Sequence, residues 1–450
     1  MKKKPNVLLI IADDMCFGDL SIVNGGTSTT PALDALAGES VRMTQAYSAS
    51  CVCAPARAAL MTGRYPHRTG VLDLNDSHAL NRLAPAEMTL GDLFAANGYS
   101  TGLVGKWHLG PIAEAHPNRR GFSEFHGLLG GSGTYWEWEL DRNGTRQRSD
   151  GRYLTEALTG YALDFVDAAV AGSDPCFLYL GHYAPHRPLH AEPERVRKYL
   201  ERGDLTPGQA HVYAMIESMD EGIGRVIERL ANHGVLDETI VIFTSDNGPD
   251  PVNDGELSPL RPNAGLSGTK YQVYDGGIRV PLLVRWPDYL PAGVTHHGMI
   301  HFTDIMPTLT SLCGLPRPEG PPVDGVDRTS ALLGDAEPYG HRFWQWNRYY
   351  PIARCNAAMR DGPWKLVYPE IDGSRQMIRG EGATVSQLLG EGSDSIERTP
   401  PPARDIGPPR APELYDLDAD PSESANLADT HPGRLATMQT ELDRWFEGVM

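Results

Sequence analysis

The sequence predicts an α/β protein of the doubly wound kind. Two observations carry this. Two runs with apolar interiors, Asn6-Val7-Leu8-Leu9-Ile10-Ile11-Ala12 and Thr239-Ile240-Val241-Ile242-Phe243-Thr244, each lead into acidic or amide residues. Between them lie segments with apolar residues at helical spacing. Runs of consecutive apolar residues read as parallel strands buried on both faces, and strands alternating with amphipathic helices build a parallel sheet with helices on both sides.

Taken in order, the first run opens the core sheet and stops at Asp13-Asp14. From Thr155 to Val170, Leu158, Ala162, Phe165 and Ala169 mark one helix face. Phe177-Leu178-Tyr179-Leu180 reads as another buried strand, ending before His182 and His186. From Gln209 to His233, Val212, Met215, Met219, Ile223, Val226 and Leu230 form one stripe, and Gly234 is a natural helix stop. The second apolar run leads through Ser245 into Asp246-Asn247-Gly248. Residues 314–338 are rich in proline and glycine and mark the start of a smaller unit. We therefore expect a catalytic domain over 1–335 and a smaller subdomain over 336–450. Residues 361–368 are strand-like, about 370–412 is a polar, irregular insertion, and a closing helix presents Met438, Leu442, Trp445 and Val449.

The 450 residues are 40% hydrophobic and 22% charged, an ordinary globular composition long enough for one large core and a smaller one. A formal charge of −18 sets aside non-specific nucleic-acid binding, so no nucleic acid is expected as partner. No apolar run approaches the roughly 18 residues of a membrane helix, so no membrane is expected either. Met1-Lys2-Lys3-Lys4 before the apolar run imitates an export signal, but that run enters Asp13-Asp14 without a small-residue cleavage site. The expected location is cytoplasmic, or periplasmic or secreted with its signal already removed. Oligomeric state is not encoded legibly. Cys16, Cys51, Cys53, Cys176, Cys313 and Cys355 are too sparse for a disulfide scaffold, and all but the Cys51–Cys53 pair read as buried thiols.

Two groups of residues carry chemistry. Asp13, Asp14, Asp246 and Asn247 follow two strands, where open α/β sheets place their sites. Four such oxygen donors suit a hard divalent cation, Ca²⁺ or Mg²⁺, and the absence of an adjoining histidine argues against zinc. Either pair alone reads equally well as turn residues. The second group is Cys51-Val-Cys53-Ala-Pro55-Ala-Arg57-Ala-Ala-Leu60-Met-Thr62-Gly63-Arg64. Pro55 fits a first helical turn and Gly63 its end, which puts Cys53 just before a helix N-terminus that favours anions. A buried cysteine beside a short helix is the competing reading.

The stretch from Cys53 to Arg64 resembles the signature of the type I, formylglycine-dependent sulfatases of the alkaline-phosphatase-like superfamily. Other pieces follow in that family's order: Asn6 to Asp14, Gly105-Lys106-Trp107-His108-Leu109-Gly110, Ala184-Pro185-His186, Ser245 to Gly248, Gly268-Thr269-Lys270 with Gly276 to Pro281, and Glu413 to Leu417 with Asp420-Pro421 through Asn426-Leu427. The resemblance spans nearly the whole chain. It implies a large mixed sheet between helices, with a smaller C-terminal sheet and a terminal helix. It implies that a separate formylglycine-generating enzyme oxidises Cys53, and that the hydrated aldehyde attacks sulfur. The metal set would be Asp13, Asp14, Asp246, Asn247 and the modified Cys53. Arg57 and the metal would favour the ionised hydroxyl, with Asp246 accepting its proton. Lys106, Lys270 and the metal would hold the sulfate oxygens. His186 or Lys270 would protonate the leaving alcohol, and His108 would help the remaining hydroxyl expel sulfate. Charge also requires these cations, with protonated His108 or His186, to reverse the local field in one cleft.

Ser132, in a glycine-rich stretch, stands evenly between a sulfate contact and an ordinary loop residue. His182 reads as structural. Tyr135, Trp136, Trp138, Trp344 and Trp346 could line a sugar site, although core packing is their commoner fate. The expected activity is hydrolysis of a sulfate monoester, a sulfated carbohydrate by class, with aryl sulfates as surrogates. The rivals are a phosphonate monoester or phosphodiester hydrolase, and a non-catalytic anion-binding protein with unmodified Cys53.

Overall fold

In a computed structural model, residues 4–74, 80–317, 319–335, 340–376 and 405–450 are described. Ten strands build one mixed sheet: β1 (Asn6–Ala12), β2 (Val41–Tyr47), β3 (Ser100–Lys106), β4 (Glu124–Leu128), β5 (Glu139–Arg142), β6 (Thr145–Arg148), β7 (Cys176–Gly181), β8 (Thr239–Ser245), β9 (Leu282–Arg285) and β10 (Val294–His301). Their order is β10-β2-β9-β8-β1-β7-β3-β4-β5-β6. The centre, β8-β1-β7-β3-β4, is parallel throughout, and β9, β5 and β6 run antiparallel to their neighbours.

The apolar runs are central because both faces of the sheet are covered. Leu8, Ile10 and Ala12 of β1 pack with Val241 and Phe243 under the helices Leu154–Ala171 and Pro207–Asn232. Val7, Leu9 and Ile11 pack on the other face with Ile240 and Ile242, against Ala56, Ala59 and Leu60 of the helix Cys53–Thr62 and Leu309 of the helix Ile305–Leu312. A strand exposed on neither side has no place for an unpaired charge until it leaves the sheet, which is why the carboxylates appear only after Ala12 and Ser245.

The expected elements occur with shifted ends. The helix expected from Gln209 begins at Pro207, because Thr206 and Gln209 form a capping box and proline tolerates the first helical position. Gly234 follows it with φ 70°. Cys53 is the first residue of its helix rather than the one before it, since Val52 is the extended cap residue. Gly63 closes that helix at φ 70°, as the pattern required. The strand-like stretch 361–368 is part of a hairpin of β12 (Ala357–Asp361) and β13 (Trp364–Tyr368). With β11 (Arg342–Gln345) and β14 (Glu413–Asp416) they form a separate antiparallel sheet, ordered β11-β12-β13-β14. The closing helix Pro432–Val449 covers it, setting Met438 and Leu442 against Met359, Leu366 and Leu414. The heart of the expected insertion, 377–404, lies outside the described residues. Among those described, no helix is long and apolar enough to cross a membrane.

Candidate active site

Four neighbouring parallel strands deliver the site. β1 and β8 are in register, Ala12 opposite Ser245, so Asp13-Asp14 and Asp246-Asn247 leave the sheet side by side. The Asp14 N–H donates to Asp246 Oδ1 (3.1 Å), and Asn247 Nδ2 donates to Asp14 Oδ1 (2.7 Å). β7 pairs with β1 on the other side and leads to His182 and His186. β3 follows β7 and ends in Lys106, two residues before His108. Gly105 makes this corner: with φ 106°, a Cβ there would sit 1.9 Å from the Gly181 carbonyl oxygen. Asp14 (φ 65°) and His108 (φ 61°) also adopt the left-handed region. Such backbone conformations are tolerated where surrounding structure over-determines them, commonly at functional sites.

The helix Cys53–Thr62 brings Cys53 and Arg57 to this edge, one turn apart on the same face. Arg57 Nε donates to Asp246 Oδ2 (2.9 Å), and its Nη1 donates to the Lys106 carbonyl (3.2 Å) and to the Tyr179 hydroxyl (3.1 Å). Nη2 lies 2.8 Å from Asp246 Oδ2 and 3.5 Å from Asp13 Oδ2. Lys106 Nζ donates to Asp13 Oδ2 (2.5 Å), and Lys270 Nζ donates to Asp14 Oδ2 (2.8 Å). The thiol of Cys53 and carboxylate oxygens of Asp13 and Asp246 lie within 4.8 Å of one another, and so do ligand atoms of Asp13, Asp14 and His186. All these side chains are buried.

Electrostatics sorts the groups. Burial opposes ionisation of Asp14, but Lys270 first and also Lys106 hold its carboxyl well below the usual range. Burial and then the neighbouring Asp13 charge raise Asp246 to about 6 despite Arg57. Burial is outweighed at Lys270, chiefly by Asp14, so its ammonium is held well above the ordinary lysine value. Burial raises the Cys53 thiol, with Lys106 and Lys270 opposing, so an unmodified Cys53 is no ready thiolate. His108 and His186 are pushed far down, by burial first and by Lys106 next, and are neutral. Both shifts run against the expectation that a protonated histidine helps reverse the field: burial and the adjacent lysine each oppose that charge. Arg57, Lys106 and Lys270 are matched by Asp13, Asp14 and Asp246, so these side chains neutralise the cleft instead of making it cationic.

Unmet valences show what the cluster can hold. Asp13 Oδ1 and Asn247 Oδ1 are buried acceptors without a hydrogen-bond partner. Two orphan oxygens amid the carboxylates of Asp13, Asp14 and Asp246 fit a hard divalent cation. His108 Nε2 donates to the Leu74 carbonyl (2.8 Å), which leaves Nδ1 with the free lone pair and no partner. His186 Nδ1 donates to the Arg187 carbonyl (2.6 Å), leaving Nε2 3.8 Å from Asp14 Oδ2.

The structure thus brings together Asp13, Asp14, Cys53, Arg57, Lys106, His186, Asp246, Asn247 and Lys270, with His108 on the loop after Lys106. Ser132 is exposed, on the stretch whose Gly131 lies against the His108 imidazole. His182 is fully buried with neither ring nitrogen partnered. Tyr135, Trp138, Trp344 and Trp346 are core; only Trp136 of that aromatic set is exposed, at 40%. Cys51 stays outside the cluster, its Sγ accepting from Asn356 Nδ2 (3.7 Å) and its thiol pushed up to about 12 by burial. The residues missed were Tyr179, which anchors Arg57, and Tyr183, whose ring lies 5.6 Å from Lys106 Nζ. Both sit in or beside an apolar strand run, and no local pattern separates them from core tyrosines.

Comparison with known proteins gives the family. Residues 5–315 match the family model described as Sulfatase. N-acetylgalactosamine-6-sulfatase of Sus scrofa is 32% identical over 360 residues, covering 73% of this chain and 66% of that protein, just under two thirds of its length. Arylsulfatase A of Bos taurus is 30% identical over 95% of this chain and 84% of its own. The crystal structure of Ps i-CgsB in complex with k-i-k-neocarrahexaose superposes with a TM-score of 0.81 at 28% identity, covering 98% of this chain and 93% of that one.

Proposed function

This chain belongs to the sulfatase family, and on that premise we propose that it hydrolyses a sulfate monoester of a carbohydrate, with Cys53 as the source of the nucleophile. The observation that carries the reading is the convergence of four parallel strand ends and one helix N-terminus on Cys53. The relatives' names, N-acetylgalactosamine-6-sulfatase and a neocarrahexaose complex, support the sugar class.

The residues divide the work as follows. Asp13, Asp14, Asp246 and Asn247 would hold a divalent cation, Ca²⁺ with Mg²⁺ as the alternative. Bound there, that ion supplies the positive charge in excess of what the side chains balance. Oxidised to formylglycine and hydrated, Cys53 supplies two hydroxyls, one to attack sulfur and one to expel sulfate afterwards. Arg57, fixed by Asp246, Tyr179 and the Lys106 carbonyl, orients that side chain and compensates its charge. Asp246, with its raised pKa, is suited to take the nucleophile's proton. Lys106 and Lys270 face the sulfate oxygens. The free Nδ1 lone pair of His108 is suited to draw the proton from the second hydroxyl. Of the two candidates to return a proton to the leaving alcohol, Lys270 already carries one, whereas His186, neutral with its ring proton held on Nδ1 toward Arg187, must first take one up at Nε2.

The test combines mass and turnover. The Cys53 peptide should weigh less than its unmodified form, since oxygen replaces sulfur and hydrogens are lost. Cys53→Ala should abolish sulfate release from sugar and nitrophenyl sulfates while Cys51→Ala keeps it. Retained turnover in Cys53→Ala, or faster cleavage of a phosphonate monoester than of any sulfate, would defeat the proposal.

A further inference from the structure

Beyond the cluster, the described residues form a cleft of about 660 Å³ lined by Gln272, Glu370, Asp372, Arg375, Gln376 and Arg410, among others. A volume of this size fits a small-molecule site. The cleft adjoins the sulfate end of the site through one residue. Tyr271 follows Lys270 directly, and its ring has the Lys270 ammonium 5.8 Å from its centroid and the Arg375 guanidinium 5.6 Å from it. The Tyr271 N–H donates to the Cys51 carbonyl (2.9 Å), two residues before Cys53, so this wall is tied to the nucleophile's own loop. Lys270 at the sulfate end and Arg375 in the cleft thus share the Tyr271 ring as a common wall.

The lining is dense in amide and charged groups, and its charges are balanced. Arg375 Nε donates to Glu370 Oε1 (2.7 Å), and Arg410 Nη2 donates to Asp372 Oδ1 (2.6 Å). A second anionic group entering here would meet a carboxylate beside each guanidinium. A neutral ring with several hydroxyls can accept from the guanidinium and amide N–H groups and donate to the carboxylates at no cost in net charge.

We propose that this cleft binds an uncharged pyranose next to the sulfated one, which makes the natural substrate an oligosaccharide and not a free sugar sulfate. The proposal rests on the sulfatase reading above and deepens it. Arg375 and Asp372 act there as specificity-determining residues away from the reacting atoms.

The experiment compares three probes: 4-nitrophenyl sulfate, N-acetylgalactosamine 6-sulfate, and the same sulfated sugar linked to a galactose. The intact protein should show a kcat/KM for the disaccharide at least about tenfold above that for the monosaccharide, the value of roughly 1.4 kcal/mol of added binding. Arg375→Ala and Asp372→Ala should each remove most of that advantage and leave 4-nitrophenyl sulfate turnover unchanged. Equal kcat/KM on the two sugars, an advantage that survives in both variants, or a larger advantage from a uronic acid neighbour overturns the cleft assignment. Turnover of 4-nitrophenyl sulfate with no release from either sugar also overturns it. No turnover of any of the three overturns the sulfatase reading itself.

Discussion

Replacing Lys270 by alanine separates the roles this lysine could hold. Its ammonium lies 2.7 Å from Asp14 Oδ1, both side chains almost fully buried. Loss of one preorganised charge at a developing anion costs about 10²–10³ in kcat, or roughly 2.7–4 kcal/mol of transition-state stabilisation. If Lys270 also protonates the leaving oxygen, sugar sulfates lose a further factor of about 10²–10⁴. Nitrophenyl sulfate escapes that second loss, because nitrophenolate departs without a proton. The structure bears on the outcome: Asp14 holds the Lys270 proton tightly, which disfavours its release. The assay is kcat on nitrophenyl sulfate and on a sugar sulfate, with thermal unfolding of the same preparation. Removing one partner of a buried pair costs about 3–5 kcal/mol of stability, so Tm must fall as well. Equal losses on both substrates would remove Lys270 from the acid role and leave His186. Near-native kcat on both would refute the placement of Lys270 at the sulfate.

Three further outcomes are expected. Chelation should abolish activity, and Ca²⁺ or Mg²⁺ should restore it and raise Tm, by about 2.7 kcal/mol of stability at one hundred times Kd; indifference of Tm and rate to both ions would count against the site. His182, buried and unpartnered, has its pKa lowered by burial to about 4, so the unfolded chain takes up its proton first and stability is lost as pH falls from 6.5 to 4. That contribution amounts to about 3 kcal/mol, and His182→Phe should flatten the acid limb of a Tm–pH curve; an unchanged limb would place the sensitivity elsewhere. Lys365 Nζ sits 2.7 Å from Asp275 and 2.7 Å from Glu423 with all three side chains buried, so Lys365→Met removes the cation these two carboxylates share and should cost about 3–5 kcal/mol in urea unfolding, whereas a loss under 1 kcal/mol would mean that their remaining partners, Tyr47 and Arg279 at Asp275 and the Asp275 N–H at Glu423, suffice.

Much of the fold was legible because each strand is local and buried on both faces. Asn6 to Ala12 and Thr239 to Thr244 show their strand state in six or seven consecutive residues. The stripe from Val212 to Leu230 shows its helix in a single periodicity. The metal-type cluster was half legible. Asp13-Asp14 and Asp246-Asn247 each follow an apolar run, but their adjacency depends on β1 pairing with β8, a contact across more than 230 residues.

The sequence by itself determined which residues leave the core at strand ends, and the unbroken order of motifs from Cys53 to Arg64 onward named the family. It determined the register of Cys53 over Cys51, because only Cys53 stands two residues before Pro55 and four before Arg57. Tertiary structure alone decided the charge states. Histidines that a linear reading could hold protonated are neutral, because burial and Lys106 reach them only in the folded protein. It alone decided that Tyr179 anchors Arg57 and that Tyr271 joins the Lys270 loop to the cleft beside the small sheet. Burial, dielectric and cross-strand distance are properties of the assembled protein, and no stretch of chain carries them in its own residues.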